Sequence, residues 1–195
     1  LMKRADLAMY QAKAAGRNTL RFFDPPMQAG INARVAMENE LFRAIENEEF
    51  ALYYQPQTDM AGHITGIEAL IRWHNPQRGL VMPGEFIPVA EESGQILPIS
   101  HWVLRQACQQ LLAWQQHPRL SQLSLAVNVS ARQFRLPMFV EEIRNLIRHS
   151  GIDPARLRLE LTEGALLANI NATIAKISAL QGMGIRFALD DSGTG

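Results

Sequence analysis

The chain alternates segments that have a two-residue hydrophobic period with segments that have a helical period, and this alternation limits the folds open to it. Five segments have the composition of β-strands: Phe50–Gln55, Ile64–Trp73, Leu123–Val129, Leu157–Leu161 and Ile185–Asp190. Helical patterns separate the later ones: Ile99–Gln116, Met138–Ser150 and Gly164–Met183. Strands that alternate with helices are typical of parallel sheets with crossover connections, so the sequence predicts an α/β fold with parallel strands.

The two faces of each predicted strand differ, because consecutive side chains point to opposite sides of a sheet. One face is apolar, with residues such as Ile67, Val127, Leu159 and Phe187, and the other carries small or polar groups. A half-exposed antiparallel sheet also shows this alternation, but the intervening helices would cover its open face. We therefore favour a parallel barrel, with apolar faces outward beneath helices and polar faces inward around a closed site.

Four polar residues share the predicted inward face near the carboxyl ends of successive strands: Glu68, Asn128, Glu160 and Asp190. Taken singly, each would be an ordinary surface residue at a strand end. Together they indicate a common site, because catalytic residues of barrels come from these strand ends. Three carboxylates and an amide at close quarters are costly without a cation. An all-oxygen set suits Mg²⁺, Mn²⁺ or Ca²⁺ better than zinc.

Two further residues extend this predicted site. Asp191 stands where the last strand gives way to a loop, from which it could help to hold a second cation. Arg72, which follows Glu68 on the same strand face, would supply a forked cation for a phosphate group. Paired cations activate water and polarise phosphoryl oxygens, so the pattern indicates phosphate-ester hydrolysis.

Composition excludes several other classes of protein. The 195 residues carry 19 Lys+Arg and 19 Asp+Glu, and a net charge of zero argues against binding to a nucleic acid polymer. The single cysteine, Cys108, cannot form an internal disulfide, and its helical position predicts a core residue. No apolar run approaches the roughly 20 residues that span a bilayer. We expect a soluble, cytoplasmic chain, with a membrane anchor elsewhere in a longer parent left open.

Several motifs, in order from Glu38 onward, resemble those of the EAL domain, the bacterial cyclic di-GMP phosphodiesterase. They are Tyr53-Tyr54-Gln55-Pro56, Glu68-Ala69-Leu70-Ile71-Arg72-Trp73, Pro83-Gly84-Glu85-Phe86-Ile87-Pro88, Ala90-Glu91-Glu92-Ser93-Gly94, Asn128-Val129-Ser130, Glu160-Leu161-Thr162-Glu163 and Asp190-Asp191-Ser192-Gly193-Thr194-Gly195. The stretch from Ala5 to Asn18 resembles the closing helix of a GGDEF (diguanylate cyclase-like) domain.

The resemblance implies the N-terminal part of a (β/α)₈ TIM-like barrel of EAL type, truncated after about its fifth strand. It also implies hydrolysis of cyclic di-GMP to linear pGpG with Mg²⁺ or Mn²⁺ at a two-metal site. The implied metal ligands are Glu68, Asn128, Glu160, Asp190 and Asp191, of which Glu68, Asp190 and Asp191 are the catalytic residues. The implied substrate contacts are Gln55, Leu70 and Arg72. Glu163 is implied to stabilise the loop after the double aspartate, and it is also suited to a helix N-terminus.

The same resemblance implies a domain organisation. Residues 1–24 would be the last helix and strand of a GGDEF domain, residues 25–37 a linker with the start of a helix, and residues 38–195 an incomplete EAL domain. The family's catalytic lysine and a later metal-binding glutamate would lie beyond Gly195, so we expect this piece alone to be inactive and its parent to be a homodimer.

Two other functions stay open at this point. The family usually has phenylalanine after the two aspartates, whereas this chain has Ser192. That departure favours, as an alternative, a receptor that binds cyclic di-GMP without hydrolysing it. The parent could also synthesise cyclic di-GMP through its GGDEF half, whose active-site signature would precede Leu1.

Overall fold

The computed structural model describes residues 25–162, 165 and 170–190. The contacts between residues divide the chain into two compact units, Leu1–Phe42 and Arg43–Gly195. The first described element, helix α1 (Pro25–Ala44), begins at the Pro-Pro step. Proline suits the first turn of a helix, because its missing N–H would have no intrahelical partner there. No helix in the described part of the chain is long and apolar enough to cross a membrane.

Strands and helices alternate through the rest of the chain. In order they are β1 (Phe50–Thr58), β2 (Ile64–Asn75), β3 (Gly79–Val81), α2 (Pro83–Ser93), α3 (Ile96–Gln115), β4 (Leu125–Val129), α4 (Ala131–Arg135), α5 (Phe139–Ser150), a 3₁₀ turn (Pro154–Arg156), β5 (Leu157–Thr162), α6 (Ile170–Gln181) and β6 (Arg186–Asp190). Each of the five predicted strands overlaps an observed one, and the predicted α/β fold is confirmed.

The strands form one mixed sheet in the order β1-β2-β4-β5-β6, with β3 paired to β2. Strands β2, β4, β5 and β6 are parallel, as predicted. The expectation of parallel strands is wrong for β1, which pairs with β2 in an antiparallel hairpin. Residues 59–63 are too few for a crossover, which needs a dozen or more residues. Asp59 stabilises this turn, since its Oδ1 accepts hydrogen bonds of 2.9 Å from the backbone N–H groups of Ala61 and His63.

The apolar sheet face forms the core beneath the helices, as the strand pattern predicted. Its most buried residues have at most 4% of their surface exposed: Ala69, Trp73, Leu125, Val127, Val129, Leu157, Leu159 and Leu161. Helix α3, which contacts β4, adds Ile99, Leu104 and Leu111. Ile67, Ile71 and Phe187 on this face are half-buried, and Leu189 on β6 is 58% exposed. Burial is therefore deepest in the middle strands of the described sheet.

Two helices were not predicted from the sequence, because proline residues or short length hide the hydrophobic period that marks a helix. Helix α2 starts at Pro83 and contains Pro88, and α4 has five residues. Helix α2 ends at Gly94, whose φ of +87° suits glycine. A Cβ at Gly94 would lie 3.3 Å from the guanidinium of Arg132 in α4. Gly94 thus ends one missed helix and leaves room for a side chain of the other.

Cys108 lies in the core, as predicted, with 1% of its surface exposed. Burial raises the pKa of its thiol to about 11. Because thiolate is the reactive form, only about one thiol in a thousand is ionised at pH 8. We expect N-ethylmaleimide to leave Cys108 unmodified in the folded protein at pH 8, as measured by peptide mass spectrometry.

Labelling in guanidinium chloride is the control, and there we expect complete modification of Cys108. Modification of the native protein at a similar rate would contradict the buried position of the thiol.

Candidate active site

The parallel register places the four predicted site residues on one face of four strands. Asn128 on β4 pairs with Glu160 on β5, and Thr162 pairs with Asp190 on β6. Glu68 on β2 pairs with Ala126, two residues before Asn128 and therefore on the same face. Asn128, Glu160 and Asp190 lie toward the carboxyl ends of their strands, whereas Glu68 is the fifth of the twelve residues of β2.

Two of the predicted residues are in direct contact. The Asn128 Nδ2 atom donates a hydrogen bond of 2.8 Å to Glu68 Oε1. Glu68 is half-buried, whereas Asn128 is exposed. The hydrogen bond joins two groups that are 60 positions apart in sequence. It holds the Glu68 carboxylate beside the Asn128 amide, whose oxygen is a second acceptor at the same place.

Among the predicted carboxylates whose side chains the structure describes, Glu160 is the most buried, with 8% of its surface exposed. Gln57 on β1 donates from Nε2 to Glu160 Oε1 over 3.2 Å. Arg158 donates from Nη1 to Gln57 Oε1, also over 3.2 Å. Gln57 and Arg158 were not among the predicted site residues. Their signal was present in the strand parity, since Gln57 follows Gln55 on one face and Arg158 precedes Glu160.

The contact between Gln57 and Glu160 shows that the sheet curves strongly. In the sheet order β2 and β4 lie between β1 and β5. Neighbouring strands are about 4.8 Å apart, so a flat sheet would separate β1 from β5 by about 14 Å. A hydrogen bond between short side chains can span that gap only if the polar face is concave. The polar face therefore lines the inside of the curve, as a barrel requires.

The predicted substrate residues are placed differently from one another. Leu70 lines a cavity of about 260 Å³, together with Asn128. Gln55 is exposed and pairs with Glu68 across the hairpin. Arg72 is half-buried, donates from Nη1 to the Ile71 carbonyl over 2.9 Å, and lies 5.6 Å from the centroid of the Tyr53 ring. The structure brings Leu70 to the cavity wall, and neither Gln55 nor Arg72 lines it.

The cavity lies between the carboxyl end of the sheet and helices α2 and α3. Its walls are mostly apolar, with Ile87 from α2 and Ile96 and Ile99 from α3. Its polar lining residues are Glu91, Ser100, Asn128, Ser130 and Thr162. An apolar slot with a few polar groups is the usual form of a small-molecule site. The arrangement places such a slot next to the Glu68–Asn128 pair.

The donor set present fits a hard divalent cation. Within the described residues no three His, Cys, Asp or Glu side chains converge closely enough to hold a metal. Glu68, Glu160 and Asn128 nevertheless offer oxygen atoms from adjacent strands, and oxygen is the donor that Mg²⁺ and Mn²⁺ prefer. Rotation of the Asn128 amide would exchange its N–H donor for its oxygen. Glu163, Asp191 and Ser192 lie outside the described residues, and so does the side chain of Asp190.

Comparison with known proteins identifies the family. The EAL domain profile matches residues 38–195. Along the whole chain, the bifunctional diguanylate cyclase/cyclic di-GMP phosphodiesterase MucR of Pseudomonas aeruginosa is 40% identical over 197 residues. The cyclic di-GMP phosphodiesterase NbdA of the same organism is 38% identical over 198 residues. The chain spans 28% of the length of MucR and 25% of the length of NbdA.

A solved structure supports the same assignment. The PaMucR phosphodiesterase in complex with c-di-GMP superposes with a TM-score of 0.77 at 37% identity, over 82% of this chain and 65% of that one. Both the profile match and the identity along the whole chain exceed what a shared fold alone requires. The chain therefore belongs to the EAL domain family.

Proposed function

We propose that this chain is part of a phosphodiesterase that hydrolyses cyclic di-GMP to linear pGpG with Mg²⁺ or Mn²⁺. The observation that carries the proposal is the concave polar face, on which Glu68, Asn128 and Glu160 lie on adjacent strands beside an apolar cavity. The names of MucR and NbdA agree with it, since both are described as cyclic di-GMP phosphodiesterases.

The metal ligands in this proposal are Glu68, Asn128, Glu160, Asp190 and Asp191. When bound, two divalent cations at such a site activate a water molecule and offset the charge that develops on the phosphoryl oxygens. Asp190, at the end of β6, would be one ligand of the site, and Asp191 would be a ligand or a water-positioning group at the second metal. Glu163 would steady the loop that carries Asp191.

The protein's own side chains would bind and orient the substrate. The cavity beside Leu70 suits the flat, largely apolar faces of a guanine base. Arg72 would contact a phosphate group, since its planar fork matches phosphate oxygens. Gln55, exposed on β1, would add a polar contact at the edge of the site. The hydrogen bond from Asn128 to Glu68 limits the rotation of the Glu68 carboxylate before any ligand enters.

The organisation of the whole protein follows as part of the same proposal. Residues 1–24 would close a GGDEF domain, residues 25–37 would link it to the next domain, and residues 38–195 would begin a (β/α)₈ barrel. The parent would be a cytoplasmic or membrane-tethered homodimer. Further strands would supply the remaining catalytic groups, so residues 1–195 by themselves would not turn over substrate.

The test is turnover by the full-length protein with its metal supply controlled. We expect Mn²⁺ to support conversion of cyclic di-GMP to pGpG, measured by anion-exchange chromatography. Chelation with EDTA should abolish the reaction, because the site depends on divalent cations, and added Mn²⁺ should restore it.

Reconstitution of the EDTA-treated protein with Ca²⁺ is the matched control for the role of the metal. Ca²⁺ restores the divalent charge at the site, but it binds its ligands at longer and less regular distances. Cyclic di-GMP that binds without turnover in the presence of Mn²⁺ would contradict hydrolysis and favour the receptor. Turnover that is unaffected by EDTA would contradict the metal site.

A further inference from the structure

Gln57 lies between a cation and a carboxylate on the concave face of the sheet. Its Oε1 atom accepts from Arg158 Nη1 and its Nε2 atom donates to Glu160 Oε1, each over 3.2 Å. Gln57 comes from β1, and the other two residues come from β5. The amide therefore links strands that are not neighbours in the sheet, at the Glu160 carboxylate, which has 8% of its surface exposed.

The chemistry of the three groups determines which way the amide points. A guanidinium can only donate hydrogen bonds, so the side of the Gln57 amide that faces Arg158 must be its oxygen. The N–H side is then directed at Glu160, whose carboxylate accepts. Arg158 thus orients Gln57, and Gln57 in turn orients Glu160.

The backbone opposite Gln57 leaves room for this amide. Gln57 pairs with Gly66 across the hairpin, and Gly66 is buried. A Cβ at Gly66 would lie 3.5 Å from Gln57 Oε1 and 2.9 Å from Ser124 Oγ. A Cβ at position 66 would therefore crowd the Ser124 hydroxyl and stand in van der Waals contact with the Gln57 amide.

An interposed amide differs from a direct ion pair in one respect that matters at a metal site. A guanidinium that contacts a carboxylate directly tends to engage both of its oxygens in a fork and to offset its charge. The Gln57 amide makes a single neutral hydrogen bond to one oxygen, Oε1. This hydrogen bond orients the Glu160 carboxylate without placing a positive charge beside it.

We propose that Gln57 and Arg158 are positioning residues that hold Glu160 as a metal ligand, with Arg158 acting through the Gln57 amide. This inference rests on the proposed metal-dependent function. Side chains that hydrogen-bond to ligating groups are commonly worth 10- to 100-fold in metal affinity. Both residues would contribute to metal affinity, Gln57 through its hydrogen bond to Glu160 and Arg158 through the Gln57 amide.

The test compares Mn²⁺ binding by the full-length protein and by its variants, measured by isothermal titration calorimetry without substrate. In Gln57→Leu we expect the Kd for Mn²⁺ to rise about 10- to 100-fold. In Arg158→Met, which keeps the apolar stem, we expect a rise of about 10-fold, because the amide loses its anchor but keeps its donor. At saturating Mn²⁺ the kcat of both variants should return to near the wild-type value.

Gln110→Leu is the matched control. Gln110 is half-buried and accepts a hydrogen bond of 3.1 Å from the Tyr54 hydroxyl, and Tyr54 points to the opposite sheet face from Gln57. We expect its Mn²⁺ affinity to equal that of the wild type. A merely structural role for Gln57 would lower the melting temperature and leave the Mn²⁺ affinity of the folded protein unchanged.

The outcomes separate this inference from the proposed function. Failure of the wild-type protein to bind Mn²⁺ would overturn the proposed function and this inference with it. Normal binding by the wild type and by folded Gln57→Leu would overturn this inference alone. If Gln57→Leu yields no folded protein, the Kd of Arg158→Met for Mn²⁺ tests the inference instead. A wild-type Kd in that variant would overturn the role of the hydrogen bonds that link Arg158, Gln57 and Glu160.

Discussion

Replacement of Glu68 by Gln should lower the turnover of cyclic di-GMP by the full-length protein at least about 100-fold. Residues that only support a metal ligand are commonly worth 10- to 100-fold, and a ligand itself is worth at least as much. The variant keeps the shape of the side chain and an oxygen that can accept from Asn128 Nδ2, so the hydrogen bond seen at 2.8 Å can persist. What is lost is the negative charge that a divalent cation requires.

The measurement is kcat/KM at saturating Mn²⁺, with the melting temperature recorded on the same samples. Glu141→Gln is the control, because the Glu141 side chain on α5 is 40% exposed and pairs only with Arg144, one turn away, in the described contacts. We expect that variant to match the wild type, since exposed ion pairs contribute little. Full turnover in folded Glu68→Gln would remove Glu68 from the catalytic machinery.

Replacement of Trp73 by Ala should destabilise the domain by about 3–5 kcal/mol. Trp73 is fully buried on β2, and its ring centroid lies 6.1 Å from that of Phe50 and 5.8 Å from that of Phe86. Its indole N–H donates to Glu49 Oε2 over 2.8 Å. The substitution leaves a cavity where three aromatic rings meet and removes the donor to Glu49 Oε2.

The effect on stability should appear as a fall of the melting temperature on the order of 10 °C. In the full-length protein, the transition that belongs to this domain can be identified as the one that Mn²⁺ and cyclic di-GMP shift upward. Trp102→Ala is the matched control, since Trp102 is half-buried and its centroid lies 5.8 Å from that of Phe50. A smaller fall is expected there. Equal falls for both variants would contradict the assignment of Trp73 to the centre of the core.

Strand parity was the part of the fold that the sequence predicted best, because it is a local property. The alternation in Leu157–Leu161 requires only that consecutive side chains face opposite ways, and every apolar residue in it is buried. The same reasoning brought Asn128 and Glu160 to one face, where the structure pairs them. Their assignment as metal ligands, by contrast, stays a prediction.

The direction of β1 was predicted wrongly, although the sequence contained the relevant length. Only residues 59–63 separate β1 from β2, and a parallel connection cannot be made in that span. Parallel strands were predicted from the alternation of strands and helices in the chain as a whole, and the short connection between β1 and β2 is a local exception to that alternation. Helix α2 was missed for a different reason, since Pro83 and Pro88 interrupt the hydrophobic period that marks a helix.

The link from Arg158 through Gln57 to Glu160 is beyond any local pattern. Gln57 is 103 positions from Glu160, and the two meet only because the sheet curves across β2 and β4. Periodicity gives the face on which a side chain lies. It does not give the curvature of the sheet, which brings side chains of distant strands together on that face. Such contacts have to be read from a structure.

The antiparallel start of the sheet has a consequence for the order in which the domain assembles. The β1–β2 hairpin closes over residues 59–63, whereas the pairing of β2 with β4 requires residues 76–124 to be ordered between them. Short connections cost less chain entropy to close and form faster, so the hairpin can form ahead of the parallel strands. It carries both Glu68 and Gln57. The polar residues of β1 and β2 are then already in register before β4 and β5 pair with the sheet. When those strands add, Asn128 can bond to Glu68 and Glu160 to Gln57.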